Sequence, residues 1–261
     1  MHIQRLAAPL GAVIEGLNVR EVTTQTWPDL NRLFNQYKVL VFRNQKLTPE
    51  DQANFASLWG PLVHHPYAST KAHPAIMTLT NYGKKKDVNQ HWHSDMIYNP
   101  VLPKLTMLYG LEVPSIGGNT AFSNQTLAWA ELSEGLRTTL RSLRAVHSAA
   151  GLARIYGEDP KKAPFAKHPV MRTHAETGEP ALFVCREFTE RFVGWSKAES
   201  AALLEYLFQH RARPEFQARQ QWRRGDLVMW DNRCLLHFAV HDHGDEPRVI
   251  HRLQVEGETP Q

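Results

Sequence analysis

The sequence predicts a mainly β domain with helical insertions, on three observations. Short apolar runs bounded by polar or turn residues recur: Lys38-Val39-Leu40-Val41-Phe42, Lys104-Leu105-Thr106-Met107-Leu108-Tyr109 and Leu227-Val228-Met229-Trp230. Runs of this length read as buried strands. Helix signals are few by comparison. Finally, 261 residues without an internal repeat, low-complexity tract or linker suit one domain of the larger all-β kind.

In chain order, Gly11-Ala12-Val13-Ile14-Glu15-Gly16 reads as a short strand and turn, and Lys38 to Phe42 as the first buried strand. At Thr48-Pro49-Glu50-Asp51 a helix starts: Thr48 can cap it, Pro49 suits the first helical position, and acidic residues meet the positive end of the dipole. Phe55, Leu58 and Trp59 then share a face, and Gly60-Pro61 stops the helix. Lys104 to Tyr109 is a strand, Gly117-Gly118 a turn, and Asn119-Thr120-Ala121-Phe122 begins another strand. Leu127, Leu132, Leu136, Leu140 and Leu143 recur with helical spacing, and Gly135 divides that stretch into two short helices.

From His147 to Pro180, glycines and prolines interrupt any period. A long irregular segment inside a compact domain is usually a lid or binding loop, so residues 147–180 are expected to cover the site. Strand returns at His168-Pro169-Val170 and Ala181-Leu182-Phe183-Val184. Ser196-Lys197-Ala198-Glu199 is a capping box opening a helix, with Leu203, Leu204, Leu207 and Phe208 as core. Gly225-Asp226 turns into Leu227 to Trp230, and the last strand runs from Arg248 to Val255.

Composition narrows the class. A formal charge of +4 and a pI of about 9.1 raise nucleic acid as a partner, but basic and acidic residues are interspersed and no zinc-finger or RNA-recognition pattern appears. Lys84-Lys85-Lys86 beside Asp87 reads as a solvated loop tip. Two cysteines, Cys185 and Cys234, cannot build a disulfide framework and point to a reducing compartment. No leader-like apolar segment and no run of transmembrane length is present, so a soluble, cytoplasmic protein is expected.

The chemistry concentrates at Asn89-Gln90-His91-Trp92-His93-Ser94-Asp95. In an extended strand His93 and Asp95 project from one face, as does His91. An imidazole and a carboxylate supply two corners of the two-His-one-carboxylate triad that holds Fe(II) with positions left open. His237, after Trp230-Asp231-Asn232-Arg233, is the best candidate for the third. Alone, His-x-Asp is a common short pattern whose ordinary reading is a surface turn or a satisfied hydrogen bond. His241 and His243 form a second spaced pair, which on its own would suggest zinc.

The order of His-x-Asp, Gly117-Gly118-Asn119-Thr120, Trp230-Asp231-Asn232-Arg233, His237 and two arginines four apart, Arg248 and Arg252, resembles the taurine dioxygenase/TfdA group of Fe(II)- and 2-oxoglutarate-dependent dioxygenases. The resemblance covers residues 11 to 257, and the segment from Glu187 to Gln217 is most similar to the taurine enzymes. It implies a double-stranded β-helix, or jelly roll, forming a single catalytic domain over residues 1–261. It implies His93, Asp95 and His237 as metal ligands and passes over His91. Arg248 and Thr120 stand where the family places the clamp for the far carboxylate of 2-oxoglutarate. Arg252, on the strand face of Arg248, corresponds to the arginine that binds a substrate sulfonate or carboxylate. His65 and Asn89 match substrate contacts of the taurine enzymes, and Tyr67 lies in the same loop as His65, which is shorter here.

Asp95 itself separates the chain from related halogenases, which lack that carboxylate. The implied reaction hydroxylates taurine or a similar small alkanesulfonate next to sulfur, releasing sulfite and an aldehyde, with succinate and CO2 from 2-oxoglutarate and O2. The alternatives are the same chemistry on an alkyl sulfate or aryloxyalkanoate, or a non-catalytic metal- and anion-binding protein. Arg248 and Thr120 argue against the last, since a carrier needs no co-substrate clamp. Oligomers are common in the group, so a homo-oligomer is expected.

Overall fold

Every residue of Val39–Phe42 is buried, and the alternation of a strand decides on which side. Leu40 and Phe42 join one apolar cluster, while Val39 and Val41 join another. The same division recurs in Leu227–Asp231, where Leu227 and Met229 face the first cluster and Val228 and Trp230 the second. A sheet buried on both faces reads as continuous apolar runs, which is why these strands were legible in the sequence.

The computed structural model describes residues 1–64, 73–81 and 91–261. Its strands are β1 (His2–Arg5), β2 (Ala12–Glu15), β3 (Val39–Phe42), β4 (Met77–Asn81), β5 (Pro103–Glu112), β6 (Thr120–Asn124), β7 (Arg144–Ser148), β8 (Phe165–Pro169), β9 (Met171–Thr173), β10 (Pro180–Leu182), β11 (Thr189–Phe192), β12 (Gln217–Gln220), β13 (Leu227–Asp231), β14 (Leu235–Ala239) and β15 (Arg248–Glu256). Its helices are α1 (Trp27–Tyr37), α2 (Pro49–Ser57), α3 (Gln125–Ala130), α4 (Glu134–Arg141), α5 (Ala150–Tyr156) and α6 (Lys197–His210). None is long and apolar enough to cross a membrane.

The main sheet has the order β1-β2-β3-β13-β5-β15-β4, antiparallel except between β2 and β3. One face packs on α1 and α2 through Phe34, Phe55 and Trp59. The other packs on the small sheet β12-β6-β14 through Phe122, Leu235 and Ile250. The result is the expected jelly-roll sandwich. The chain crosses between the sheets at Asp231–Cys234, where β13 of the large sheet passes into β14 of the small one.

Several expectations are corrected. The leucine-rich stretch does split, but at Glu131 to Ser133; Gly135 lies inside α4, and Ser133 caps it through Leu136 N–H at 3.3 Å. α2 ends at Ser57, before Gly60-Pro61. Residues 147–180 are not an irregular loop: they include α5, β8 and β9. Their strands are held by pairing, β8 with β7 and β9 with β10, so glycines and prolines between them hid elements with no local period. α1, β1, β11 and β12 lie outside the elements expected from the sequence.

The corner at Asp231 is locked by charge. Asp231 is wholly buried and accepts from Arg233 Nε at 2.9 Å and Nη2 at 2.7 Å, and from His174 Nε2 at 2.9 Å. Arg233 Nη1 reaches Glu176 at 2.6 Å, and Asn31 and Asn35 from α1 each donate to Glu176 at 3.0 Å. Burial alone would raise the pKa of Glu176. The Arg233 guanidinium, with the two amides, overrides this and holds it at about 2 against an ordinary 4.5. A depressed carboxyl contributes stability that is present above pH 4.5 and lost as pH falls toward 2. Glu176→Gln should therefore flatten the acid limb of stability. Between pH 7 and pH 3, urea unfolding should cost the parent more than the variant, by about 1 kcal/mol once solvent screening of this half-exposed group is discounted; equal losses would remove Glu176 from this role.

Candidate active site

β14 carries His237 in register with Phe122 of β6 on one side. On its other side it pairs with a single residue, His93, through His93 N–H to His237 O at 3.1 Å and His237 N–H to His93 O at 2.9 Å. The expectation of a strand through Asp95 is thus corrected: among the described residues of this stretch only His93 is bridged, and the chain turns at Asp95 into Met96, whose φ is 51°. His91, outside the bridge, is exposed rather than sharing the face of the other two. Its carbonyl still contributes, accepting from His93 Nδ1 at 2.7 Å. That bond leaves the lone pair of His93 on Nε2, which is directed at Asp95.

Asp95 uses its two oxygens differently. Oδ2 accepts from Thr106 Oγ1 at 2.7 Å and from Gln254 Nε2 at 3.0 Å. Oδ1 lies 3.9 Å from His93 Nε2, 3.8 Å from His237 Nε2 and 3.0 Å from Arg252 Nη2. Burial would raise the pKa of Asp95, but the Arg252 guanidinium leads the charges that overcome it and hold it well below the usual carboxylate range. Burial, reinforced by His93, pushes His237 down to about 3, so its imidazole is neutral at physiological pH. Two imidazoles, that of His237 neutral, and one ionised carboxylate, all buried, present ligand atoms within 4.8 Å of one another. One carboxylate oxygen is tied back and the other is aimed between the rings. This donor set fits a non-haem divalent iron on one side and leaves the other side for small ligands.

A second buried group, His174, Asp231 and Cys234, is equally close together. Its chemistry is different. Nδ1 of His174 accepts from Glu176 N–H at 3.2 Å and Thr177 N–H at 3.1 Å, so Nε2 carries the proton given to Asp231. No imidazole lone pair is left for a metal, and burial pushes the Cys234 thiol above its ordinary pKa. The cluster is a hydrogen-bonded brace. His241 and His243 lie 5.9 Å apart, ring to ring, in the connection from β14 to β15 and join no such group among the described residues.

The two arginines of β15 diverge in their contacts. Arg248, Ile250, Arg252 and Gln254 alternate onto the inner face, with Ile250 in the inter-sheet core. Arg248 is buried, donates through Nε to Gly118 O at 3.2 Å, and lies 5.8 Å over the ring of Trp222. Trp222 Nε1 donates to Thr120 Oγ1 at 3.1 Å, so one indole links the two residues expected to share a carboxylate. Gly117 and Gly118 have φ of 79° and 62°, and a Cβ on Gly118 would meet Pro114 at 2.7 Å, so the turn beside Arg248 requires glycine. Arg252 stands on Asp95 itself. His65, Asn89 and Tyr67 lie outside the described residues.

Sequence reasoning missed Thr106, Gln254, Asn232 and Trp222. Gln254 was accessible, since it continues the alternation of Arg248 and Arg252. The others became visible only through contacts across sheets. Thr106 is their hub. Its hydroxyl donates to Asp95 and lies 2.9 Å from Asn232 Nδ2 and 3.0 Å from Gln254 Nε2. Asn232 Oδ1 in turn accepts from Trp230 Nε1 at 2.8 Å. Thr106→Val keeps the shape and strands two buried donors. It should lower stability by about 1–3 kcal/mol in urea unfolding while Thr106→Ser stays near the parent; a neutral Thr106→Val would show that this hydroxyl is not the hub.

Residues 2–254 match the model of the taurine catabolism dioxygenase TauD, TfdA family. An alkylsulfatase of Acinetobacter baylyi is 32% identical over 99% of this chain and 86% of its own. The 2,4-dichlorophenoxyacetate dioxygenase of Cupriavidus pinatubonensis is 33% identical over 87% of each chain. Among solved structures, a putative taurine dioxygenase from Burkholderia xenovorans superposes with a TM-score of 0.89 at 30% identity, covering 99% of this chain and 93% of that one. Matched along nearly its whole length and carrying a buried His-Asp-His group that could hold a metal, the chain belongs to the TauD/TfdA family of Fe(II)- and 2-oxoglutarate-dependent dioxygenases.

Proposed function

We propose that this chain hydroxylates taurine or a similar small alkanesulfonate at the carbon next to sulfur. The observation that carries the reading is the pair of guanidinium groups on one strand face. Arg248 is turned to Gly118 and Trp222, and Arg252 to Asp95 at the metal face. Two separate cations on one side of a ligand set suit two separate anions, a co-substrate carboxylate and a substrate oxyanion.

In this reading His93, Asp95 and His237 hold Fe(II). Held there with 2-oxoglutarate and O2, Fe(II) would supply the oxidising power for hydroxylation of the substrate carbon, with 2-oxoglutarate converted to succinate and CO2. Arg248 and Thr120 hold the far carboxylate of 2-oxoglutarate, with Trp222 orienting both. Arg252 holds the sulfonate, so that the adjacent C–H lies toward the open side of the ligand set. His65 and Asn89 complete the substrate contacts. A carbon bearing both hydroxyl and sulfonate then expels sulfite and becomes an aldehyde. Residues 147–180 act as the lid: Leu152 of α5 packs with Trp92 and Tyr98, beside the ligand loop.

A second substrate reading is an alkyl sulfate, hydroxylated at the carbon next to the ester oxygen and releasing sulfate. It is supported by the identity to the alkylsulfatase along the whole chain. Support also comes from the apolar cluster of Trp92, Tyr98, Leu152 and Phe188, which would suit a hydrocarbon body.

The experiment that tests the reading supplies Fe(II), ascorbate, 2-oxoglutarate and O2, with taurine, an alkyl sulfate or an aryloxyacetate, and quantifies succinate, sulfite and sulfate. Matched, taurine-dependent succinate and sulfite are expected. Sulfate matched to succinate with the alkyl sulfate alone would replace taurine by the second reading. Separately, anaerobic Fe(II) with 2-oxoglutarate should give a lilac charge-transfer band. His237→Ala should lose that band; its persistence would remove His237 from the ligand set.

A further inference from the structure

The peptide groups around His93 are held from behind. His91 O accepts from the His93 ring. Trp92 O, on the peptide entering His93, is reached by Arg211 Nη2 at 3.5 Å. Ser94 Oγ donates to Asn232 O at 3.3 Å, which ties the same turn to the corner between the sheets.

Arg211 is the unusual member. It is 2% exposed and has no carboxylate partner among the described residues, and its Nε and Nη1 make no hydrogen bond. The Phe208 ring lies 5.2 Å away. The neighbouring cation, Arg186, is paired with Glu205 at 2.5 Å. An unpaired buried guanidinium costs several kcal/mol, and replacing such a group by an apolar residue of similar volume is commonly neutral or stabilising. Stability of the fold therefore does not account for its position. Among the described residues, the one hydrogen bond of its side chain goes to Trp92 O, on the peptide that enters His93.

We propose that Arg211 is a positioning residue for the metal centre, holding the peptide group that enters His93 so that its imidazole and Asp95 stay at the separation a divalent cation requires. The inference rests on His93, Asp95 and His237 being the ligands. Partners of ligands at this remove typically change metal affinity 10- to 100-fold. The test is calorimetric titration of Fe(II) into the anaerobic metal-free protein, with the Tm of that metal-free protein measured alongside. Arg211→Met should weaken Fe(II) binding about tenfold or more, and Arg211→Lys, which keeps a donor, should recover part of the loss. The Tm of metal-free Arg211→Met should match or exceed the parent's, separating this role from a structural one. Unchanged Fe(II) affinity in Arg211→Met, with or without a lower Tm, would overturn the proposal. A parent that binds no Fe(II) would overturn the ligand assignment first and the positioning role with it.

Discussion

The carboxylate of Asp95 is buried and ionised, and the rest of the site is arranged around that fact. An isolated buried carboxylate would protonate or be expelled to water. Here one oxygen is satisfied by Thr106 of β5 and Gln254 of β15. The other is left to Arg252 and to the two imidazoles. A charge stabilised from one side and open on the other is a metal ligand in waiting, and the same contacts tie the ligand loop to two strands of the main sheet.

The fold makes this possible by burying the main sheet on both faces. The face toward α1 and α2 is apolar and carries the stability. The inner face is apolar near Trp230, Phe122 and Ile250, and becomes polar along the side chains of β15. The polar part costs desolvation at every position, so it is tolerated only as a connected network from Trp230 through Asn232 and Thr106 to Asp95. The corner at Asp231–Cys234 is therefore both structural and functional. It carries the Asp231–Arg233–Glu176 lock outward to α1 and the Asn232 contacts inward to the ligand loop.

The substrate chemistry follows from charge placement. Arg248 and Arg252 lie four residues apart on one strand yet meet different surroundings, an indole and a glycine turn in one case and a ligand carboxylate in the other. In the proposed reading, that separation lets one strand serve a co-substrate and a substrate without the two anions competing.

Much of this was legible in the chain. Strands buried on both faces announced themselves as apolar runs, as in Val39–Phe42 and Leu227–Asp231, because their burial leaves no polar alternation to read. Capped helix starts at Thr48 and Ser196 were visible because a cap is a local interaction within one turn. The residue order from His93 to Arg252 carried the family, and with it the ligand set. What only the tertiary structure decided are the relations between sheets. Thr106 as the hub, Trp222 joining Thr120 to Arg248, and Arg211 behind His93 all depend on contacts between residues distant in the chain. The elements hidden within residues 147–180 belong with them, since a short strand such as β9 is stabilised by its partner β10 rather than by its own sequence. Local propensity encodes what a segment can do alone; burial, hydrogen bonding and charge across the sandwich determine what it does in place.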